Sequence, residues 1–299
     1  MKNNSQMKIL VTGANGFTGK FLCKELKKRK IKFTAVLRSG NDTSWMELNK
    51  IQYIFADLNN KKEFKEAING YEILINLASL GFGIAPSVIK ACEKCNIKRV
   101  IFISTTGIFT KLNPKSKKIR IEAENLIKES NLNWTIIRPT MIYGDIGDRN
   151  LIKLINLIYY FPVIPIFGRG KFLLQPIYVN DLAKAIVDII QKKNTYFKIF
   201  NLSGKNAVSV KYLIKIVALA LNKNIYIINF PSFLAIKILT ITEIFGIKLP
   251  IKREQIERLL EDKNFSHEEA KKEFDYSPIN IEDGINKEVK LFLKSKRLK

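Results

Sequence analysis

Apolar residues along this chain fall into short continuous runs separated by stretches with helical spacing. Lys8-Ile-Leu-Val11 reads as an opening strand, after which Phe21, Leu22 and Leu26 recur at helical intervals among charged residues. Further strands are predicted over 32–37, 51–55, 72–77, 99–103 and 134–137, with a return strand over 197–202. Continuous apolar strands alternating with helical segments signify a parallel sheet covered on both faces. The expected fold class is therefore α/β, a Rossmann-type doubly wound parallel sheet. Helical runs are predicted over 150–160 and 182–192, the second capped by Asn180 or Asp181. From Ile225 the character shifts to a largely apolar stretch around Lys237 and Glu243, followed by helices near 252–262, 267–274 and 281–295. The expected division is a sheet domain over 1–224, with an irregular insertion at about 145–178, and a small, mainly helical C-terminal lobe over 225–299.

The turn after the first strand, Val11-Thr-Gly-Ala-Asn-Gly-Phe-Thr-Gly19, carries the candidate chemistry. Strand, glycine-rich turn and helix in that order form a dinucleotide-binding context. Gly13 permits a tight turn, Gly16 lets backbone approach a phosphate, and Gly19 lets helix pack on strand. Asn15, Phe17 and Thr18 complete the turn, and the helix start offers unpaired N–H groups and a positive dipole end to a pyrophosphate. A P-loop fails, because Ala14 and Phe21 stand where that motif needs glycine and a Ser or Thr. The second strand ends in Arg38, about 20 residues beyond the turn, where NAD sites carry an acid for the ribose 2′-hydroxyl. An arginine suits a 2′-phosphate, so NADP(H) is expected in preference to NAD(H). Asp57, Ala78 and Ser79 follow the third and fourth strands and are expected to face the adenosine half.

The net charge of +24 raises nucleic acid or an anionic membrane as partners. Its lysines are spread through helices, and no helix-turn-helix, zinc or RNA-aromatic signature accompanies them, so no specific nucleic acid is expected. Cys92 and Cys95 form one C-x-x-C with no second pair, and His267, the only histidine, is remote, so packing is expected rather than redox or metal chemistry. The apolar runs around 154–168 and 225–236 are short and interrupted by Pro162, Pro165 and Pro231, which excludes spanning helices there. With no secretory pattern, a cytoplasmic location is expected. Contact with a membrane surface stays open, through the stretch after 225 with Lys237 and Lys248 toward headgroups; core packing is the other reading.

Five pieces in order make the chain resemble the short-chain dehydrogenase/reductase superfamily, in its extended and atypical epimerase/dehydratase-like members. They are the TGANGFTG turn, Ala56-Asp57-Leu58, the strand end Ser104-Thr105-Thr106, RPTMIYG over 138–144, and Gln175-Pro-Ile-Tyr-Val-Asn-Asp-Leu182. The resemblance implies Asp57 and Leu58 near adenine, Ala78 near the inner phosphate or ribose, and Pro139, Met141 and Ile142 near the nicotinamide carboxamide. It also implies a substrate pocket around the insertion, where Arg149, Arg169 and Lys171 are candidate anion ligands and Gln175 and Tyr178 border the substrate.

The chain departs from the family in its Tyr-x-x-x-Lys pair. Aligning Ala123-Glu124 with the family's Ala-Glu leaves Ser116 at the tyrosine position and Arg120 at the lysine position. Their one-turn spacing is kept, but serine is a poor proton donor and arginine stays protonated. Proton transfer then falls to Thr105, Tyr143, Tyr178 or a water relay, or Arg120 binds an anionic substrate group, or the cofactor is held without turnover. The leading expectation is an oxidoreductase or epimerase acting on a nucleotide-sugar-like or other phosphorylated, anionic small molecule. The alternative is a non-catalytic NADP(H)-binding sensor or assembly factor.

Overall fold

The computed structural model describes residues 7–244 and 253–297. The chain begins β1 (Ile9–Thr12), α1 (Phe17–Lys28), β2 (Phe33–Leu37), α2 (Ser44–Leu48), β3 (Tyr53–Phe55), α3 (Lys61–Ile68) and β4 (Ile73–Asn76). It continues through α4 (Ala85–Lys94), β5 (Arg99–Ile103), α5 (Lys115–Glu129), β6 (Trp134–Pro139), β7 (Ile142–Tyr143), α6 (Leu151–Tyr160) and β8 (Val163–Phe167). Next come β9 (Leu173–Leu174), β10 (Ile177–Tyr178), α7 (Val179–Asp188), β11 (Lys198–Leu202), β12 (Val208–Ser209) and α8 (Val210–Ala220). The last elements are β13 (Tyr226–Phe230), α9 (Ser232–Ile244), α10 (Arg253–Leu259), α11 (Glu268–Phe274) and α12 (Ile281–Arg297).

Seven strands form one parallel sheet in the order β11-β6-β5-β4-β1-β2-β3. The order reverses between β1 and β4, the crevice where doubly wound sheets bind ligands. Both faces are covered because successive side chains on a strand point oppositely. Ile9 and Val11 enter the core beneath α1 and α7, while Leu10 enters the one beneath α3, α4 and α5. Ile101 and its neighbours Val100 and Phe102 divide in the same way on β5. Cys92 is buried in the second core and its thiol is pushed up by desolvation, as packing requires.

Arg99 lies fully inside, where sequence pattern gives only a strand start. Its guanidinium donates to the Asn133 carbonyl at 3.0 Å and to the hydroxyls of Thr135 and Thr195 at 2.6 and 3.0 Å, under the Tyr196 ring. Burial without a carboxylate partner lowers it to about 10.

The C-terminal lobe is not built from 225–299 alone. One core joins Leu151, Ile155, Ile164 and Ile166 from the insertion with Leu213 and Val217 of α8 and Ile285 and Val289 of α12. β13 pairs in parallel with β8, from Tyr226↔Val163 to Phe230↔Phe167. Meanwhile α11 returns to the main sheet, placing Ala270 and Phe274 beside Phe200. The expected capping by Asp181 is also replaced. α7 starts at Val179, and the buried Asp181 carboxylate instead accepts from the Ile279 amide at 2.9 Å, tying the lobe to the sheet domain.

Candidate functional site

A cleft of about 770 Å³ opens at the carboxyl edge of the sheet, between the glycine turn, the ends of β5 and β6, α5 and α10. Its floor is fixed by a short relay at the end of β1. Thr12 donates to the Asn76 side chain at 2.7 Å, and Asn76 donates to the Ala78 carbonyl at 3.1 Å. Gly13 turns the chain with φ of +67°, and a side chain there would sit 2.9 Å from the Ala78 amide. A Cβ on Gly19 would lie 2.2 Å from the Gly13 carbonyl, so helix and turn touch backbone to backbone. No side chain caps α1, and Gly16, Phe17, Thr18 and Gly19 line the cleft. The first-turn amides are therefore left for an anion, which is the donor set a pyrophosphate needs.

The other residues expected at the cofactor are divided between the cleft and its surroundings. Arg38 is exposed just past β2. The nearest acid after it, Asp42, is spent on Ser44, accepting from its amide at 2.9 Å and its hydroxyl at 2.5 Å. Asn15 donates to the Asp42 carbonyl at 2.9 Å and so braces this loop. Asp57 accepts from the Asn59 amide at 2.9 Å, and Leu58 is buried in the core. Arg38, Asp57, Leu58 and Ala78 stand outside the cleft lining, whereas Ser79, Pro139, Met141 and Ile142 are part of it.

Thr105, Ser116 and Arg120 all line the cleft. The Thr105 oxygen accepts from the Gly107 amide at 3.0 Å, which leaves the hydroxyl proton available to a ligand. Arg120 is half-buried, and its guanidinium donates to the Ser116 carbonyl at 3.4 Å. Burial lowers its proton affinity, and the nearby Arg258 lowers it further. Tyr143 and Tyr178 are absent from the lining. Both are buried, with ring centroids 5.6 Å apart, and desolvation pushes both phenols up. The parallel pairing of β7 with β10 directs them into the lobe core instead.

Among the candidate anion ligands, Arg149 lines the cleft, while Arg169 and Lys171 are exposed elsewhere. Gln175 borders the cleft but its amide is committed. It donates to the Gly204 carbonyl at 2.8 Å and accepts from the Phe265 amide at 2.9 Å.

The structure adds three cations absent from the sequence reading. Lys117 donates to the Thr110 carbonyl at 2.6 Å; Arg258 and Lys263 arrive from α10 and the segment after it. Lys263 is held below the ordinary lysine range by burial, with Arg258 adding to the effect and Glu261 opposing it. Among the described residues, the lining contains Lys117, Arg120, Arg149, Arg258 and Lys263 and no Asp or Glu. The carboxylates behind the lining are engaged: Glu124 is buried and taken by Arg138 on two nitrogens and by Ser104 at 2.5 Å, Glu261 accepts from the Thr110 hydroxyl at 2.6 Å, and Asp148 accepts from the Asn150 amide. Glu124 was visible in the Ala-Glu pair, but its role needed the fold to bring β5 and β6 beside α5.

Residues 13–158 match a family model described as NAD(P)H-binding. The chain is 25% identical over 243 residues to chloroplast stem-loop binding protein of 41 kDa b from Arabidopsis thaliana, covering 73% of this chain and 64% of that one. It is 25% identical over 209 residues to NADH dehydrogenase (ubiquinone) 1 alpha subcomplex subunit 9 from Dictyostelium discoideum, covering 65% and 58% respectively. The match thus spans less than two thirds of either relative's own length. Its fold is that of the UDP-glucuronic acid 4-epimerase from Bacillus cereus, with a TM-score of 0.76 at 18% identity over 97% of this chain and 100% of that one. By this sheet order, glycine turn and family match, residues 13–158 carry an NAD(P)H-binding domain, and the chain as a whole has the fold of the epimerase structures.

Proposed function

We propose that the chain is an NADP(H)-dependent oxidoreductase or epimerase whose substrate carries a phosphate or diphosphate, as a nucleotide sugar does. The observation that carries this reading is the convergence of Arg120 and Arg258 on one cleft whose lining, among the described residues, holds no Asp or Glu. Burial and then the nearby Arg258 lower the proton affinity of Arg120, and an anion bound between the two guanidiniums would offset their repulsion with bidentate contacts. The Bacillus cereus neighbour was solved with UDP-glucuronic acid and NAD, a sugar diphosphate of the same charge class.

The cofactor supplies hydride exchange at carbon when bound. The chain's own residues hold and orient. Amides of Phe17, Thr18 and Gly19 hold the pyrophosphate, and Met141 and Ile142 border the nicotinamide end. Thr105 donates a hydrogen bond to the reacting substrate oxygen, while Arg120 and Arg258 hold the anionic group of the substrate. With Ser116 at the usual tyrosine position, the net proton passes to and from water. Preference for the 2′-phosphorylated cofactor is supported by Arg38 at the tip of β2 and by the engagement of Asp42 with Ser44.

A second reading is favoured by Ser116 and Arg120 standing in place of the proton-transfer dyad: an NADP(H)-binding sensor or assembly factor without turnover. Two measurements separate these. Calorimetry with NADPH and NADH tests the cofactor, and equal or tighter NADH binding overturns the NADP(H) preference. A panel of nucleotide sugars assayed with saturating cofactor tests turnover. Substrate-dependent conversion supports the enzyme, and cofactor binding with no conversion across the panel favours the sensor.

A further inference from the structure

The lobe presents an apolar surface that the cleft does not use. Pairing of β13 on β8 puts Tyr226 beside Val163 and Ile228 beside Pro165, so alternate residues of both strands share one outward face. Tyr226 is 73% exposed and Ile228 54%. The Tyr226 amide donates to the Pro162 carbonyl at 2.7 Å, which extends the face to Phe161 at the end of α6. After Pro231 the chain enters α9, whose inner residues Ala235 and Leu239 pack with Ile256 of α10. Its outer residues Phe233, Leu234 and Ile238 are nevertheless exposed. Apolar residues on both faces are expected of a helix enclosed by protein or seated in lipid, not of one facing water.

Charge selects between those partners. The stretches that build this face, 160–167 and 226–242, contain no Asp or Glu and one charged side chain, Lys237, before Glu243 near the end of α9. Lys237 is exposed in the middle of the outer face of α9. At the α6 edge the Lys296 ammonium donates to the Tyr160 hydroxyl at 2.8 Å, and Lys223 stands 5.4 Å from the centre of the Tyr159 ring. Aromatic rings with adjacent ammonium groups at the rim of an apolar face match the headgroup level of a bilayer. Among the described residues, no helix is long and apolar enough to cross a membrane.

We propose that the face formed by the end of α6, β8, β13 and the outer side of α9 docks the protein onto an anionic lipid bilayer, lying in the interface without spanning it. Apolar side chains enter the headgroup boundary and the surrounding lysines hold anionic lipids, so both contributions are needed.

Flotation of the full chain with vesicles tests this. Expected is co-flotation with phosphatidylcholine vesicles containing phosphatidylglycerol, weaker flotation with phosphatidylcholine alone, and partial loss at raised salt. The double variant Ile228→Asn, Phe233→Ser should reduce the bound fraction about tenfold or more, at an unchanged melting temperature and NADPH affinity. Lys237→Glu should weaken binding only to the anionic vesicles. Absence of the parent chain from the floated fraction overturns the proposal, as does flotation of the double variant equal to the parent's. A lipid-free dimer in sedimentation equilibrium that the same double variant dissociates assigns the face to a second copy, and also overturns it. None of these readouts depends on substrate turnover.

Discussion

Gly284 lies directly against the hydroxyl of Tyr143: a Cβ at position 284 would sit 1.9 Å from that oxygen and 2.7 Å from its ring carbon. The first turn of α12 is thereby pressed onto β7. Gly284→Ala is expected to force the two apart, at a cost of about 1–3 kcal/mol typical of overpacking. Thermal unfolding measures it. Tyr143→Phe keeps the ring and should leave NADPH affinity and any turnover at the parental level, since the phenol stands outside the cleft.

Gly19→Ala bears on the cofactor instead. The added methyl meets the carbonyls of Gly13 and Ala14, both backbone and both fixed by the turn. The start of α1 must shift away from the pyrophosphate position, and NADPH affinity should fall by at least tenfold, about 1.4 kcal/mol. Fluorescence titration of NADPH checks this, with circular dichroism to show that the sheet survives.

How much of this could be read in advance depended on whether the signal was local. Strand alternation and the spacing of Gly13, Gly16 and Gly19 act over a few residues, and both the sheet and the turn follow from them. The dyad's absence was equally local, because Ser116 and Arg120 belong to one helix. Arg258 and Lys263 enter the cleft from more than a hundred residues away, and nothing in their own neighbourhood marks them. Arg169 and Lys171 lie in the expected insertion, yet they surround Gly170, whose close neighbours are Ile166 and Lys211, and this part of the insertion is turned away from the cleft. Asp181 resembled a helix cap until the lobe supplied a distant amide, that of Ile279, for it to bind.

For the anion site, removing either guanidinium should raise KM far more than it lowers kcat. Arg258→Ala is expected to raise KM for a phosphorylated substrate by about tenfold or more, the scale of a lost charge-assisted contact. Arg258→Lys should recover part of it. NADPH affinity is expected to hold, since α10 stands across the cleft from the glycine turn. A kcat loss with KM unchanged would place Arg258 outside substrate binding.

Thr105 calls for a pair of variants, because its oxygen also accepts from the Gly107 amide. Thr105→Ser keeps both contacts and should retain turnover. Thr105→Val loses the hydroxyl and should cost at least ~10²-fold in kcat/KM if the group positions the reacting oxygen. Equal rates for the two variants would remove Thr105 from the chemistry.

Glu288 governs the expected pH dependence of stability. It is fully buried on α12, against the Asp148 carboxyl and the backbone of Gly144. Desolvation, reinforced by the neighbouring Asp148, pushes it up to about 9 from an ordinary 4.5. The Asp148 carboxylate accepts from the Asn150 amide, so Glu288 is the member that keeps the proton. The folded state then binds a proton that the unfolded chain releases between those values. This contribution is complete below about pH 4.5, declines as pH rises, and is lost once pH passes about 9. Urea unfolding at about pH 5, 7 and 9 should show decreasing stability, by an amount on the order of a few kcal/mol. Glu288→Gln should flatten that slope and be the more stable form on the alkaline side.

The β8–β13 ribbon decides how the polypeptide can be divided. Its two strands are separated along the chain by α7, β11 and α8, which return to the main sheet and come back out before the partner strand is laid down. A fragment ending near residue 225 would carry β8 with one edge stripped of its ladder, and Ile164 and Ile166 would lose the α12 side of their enclosure. The nucleotide-binding half is therefore not a separable cassette: excision or grafting must carry the chain onward through α12.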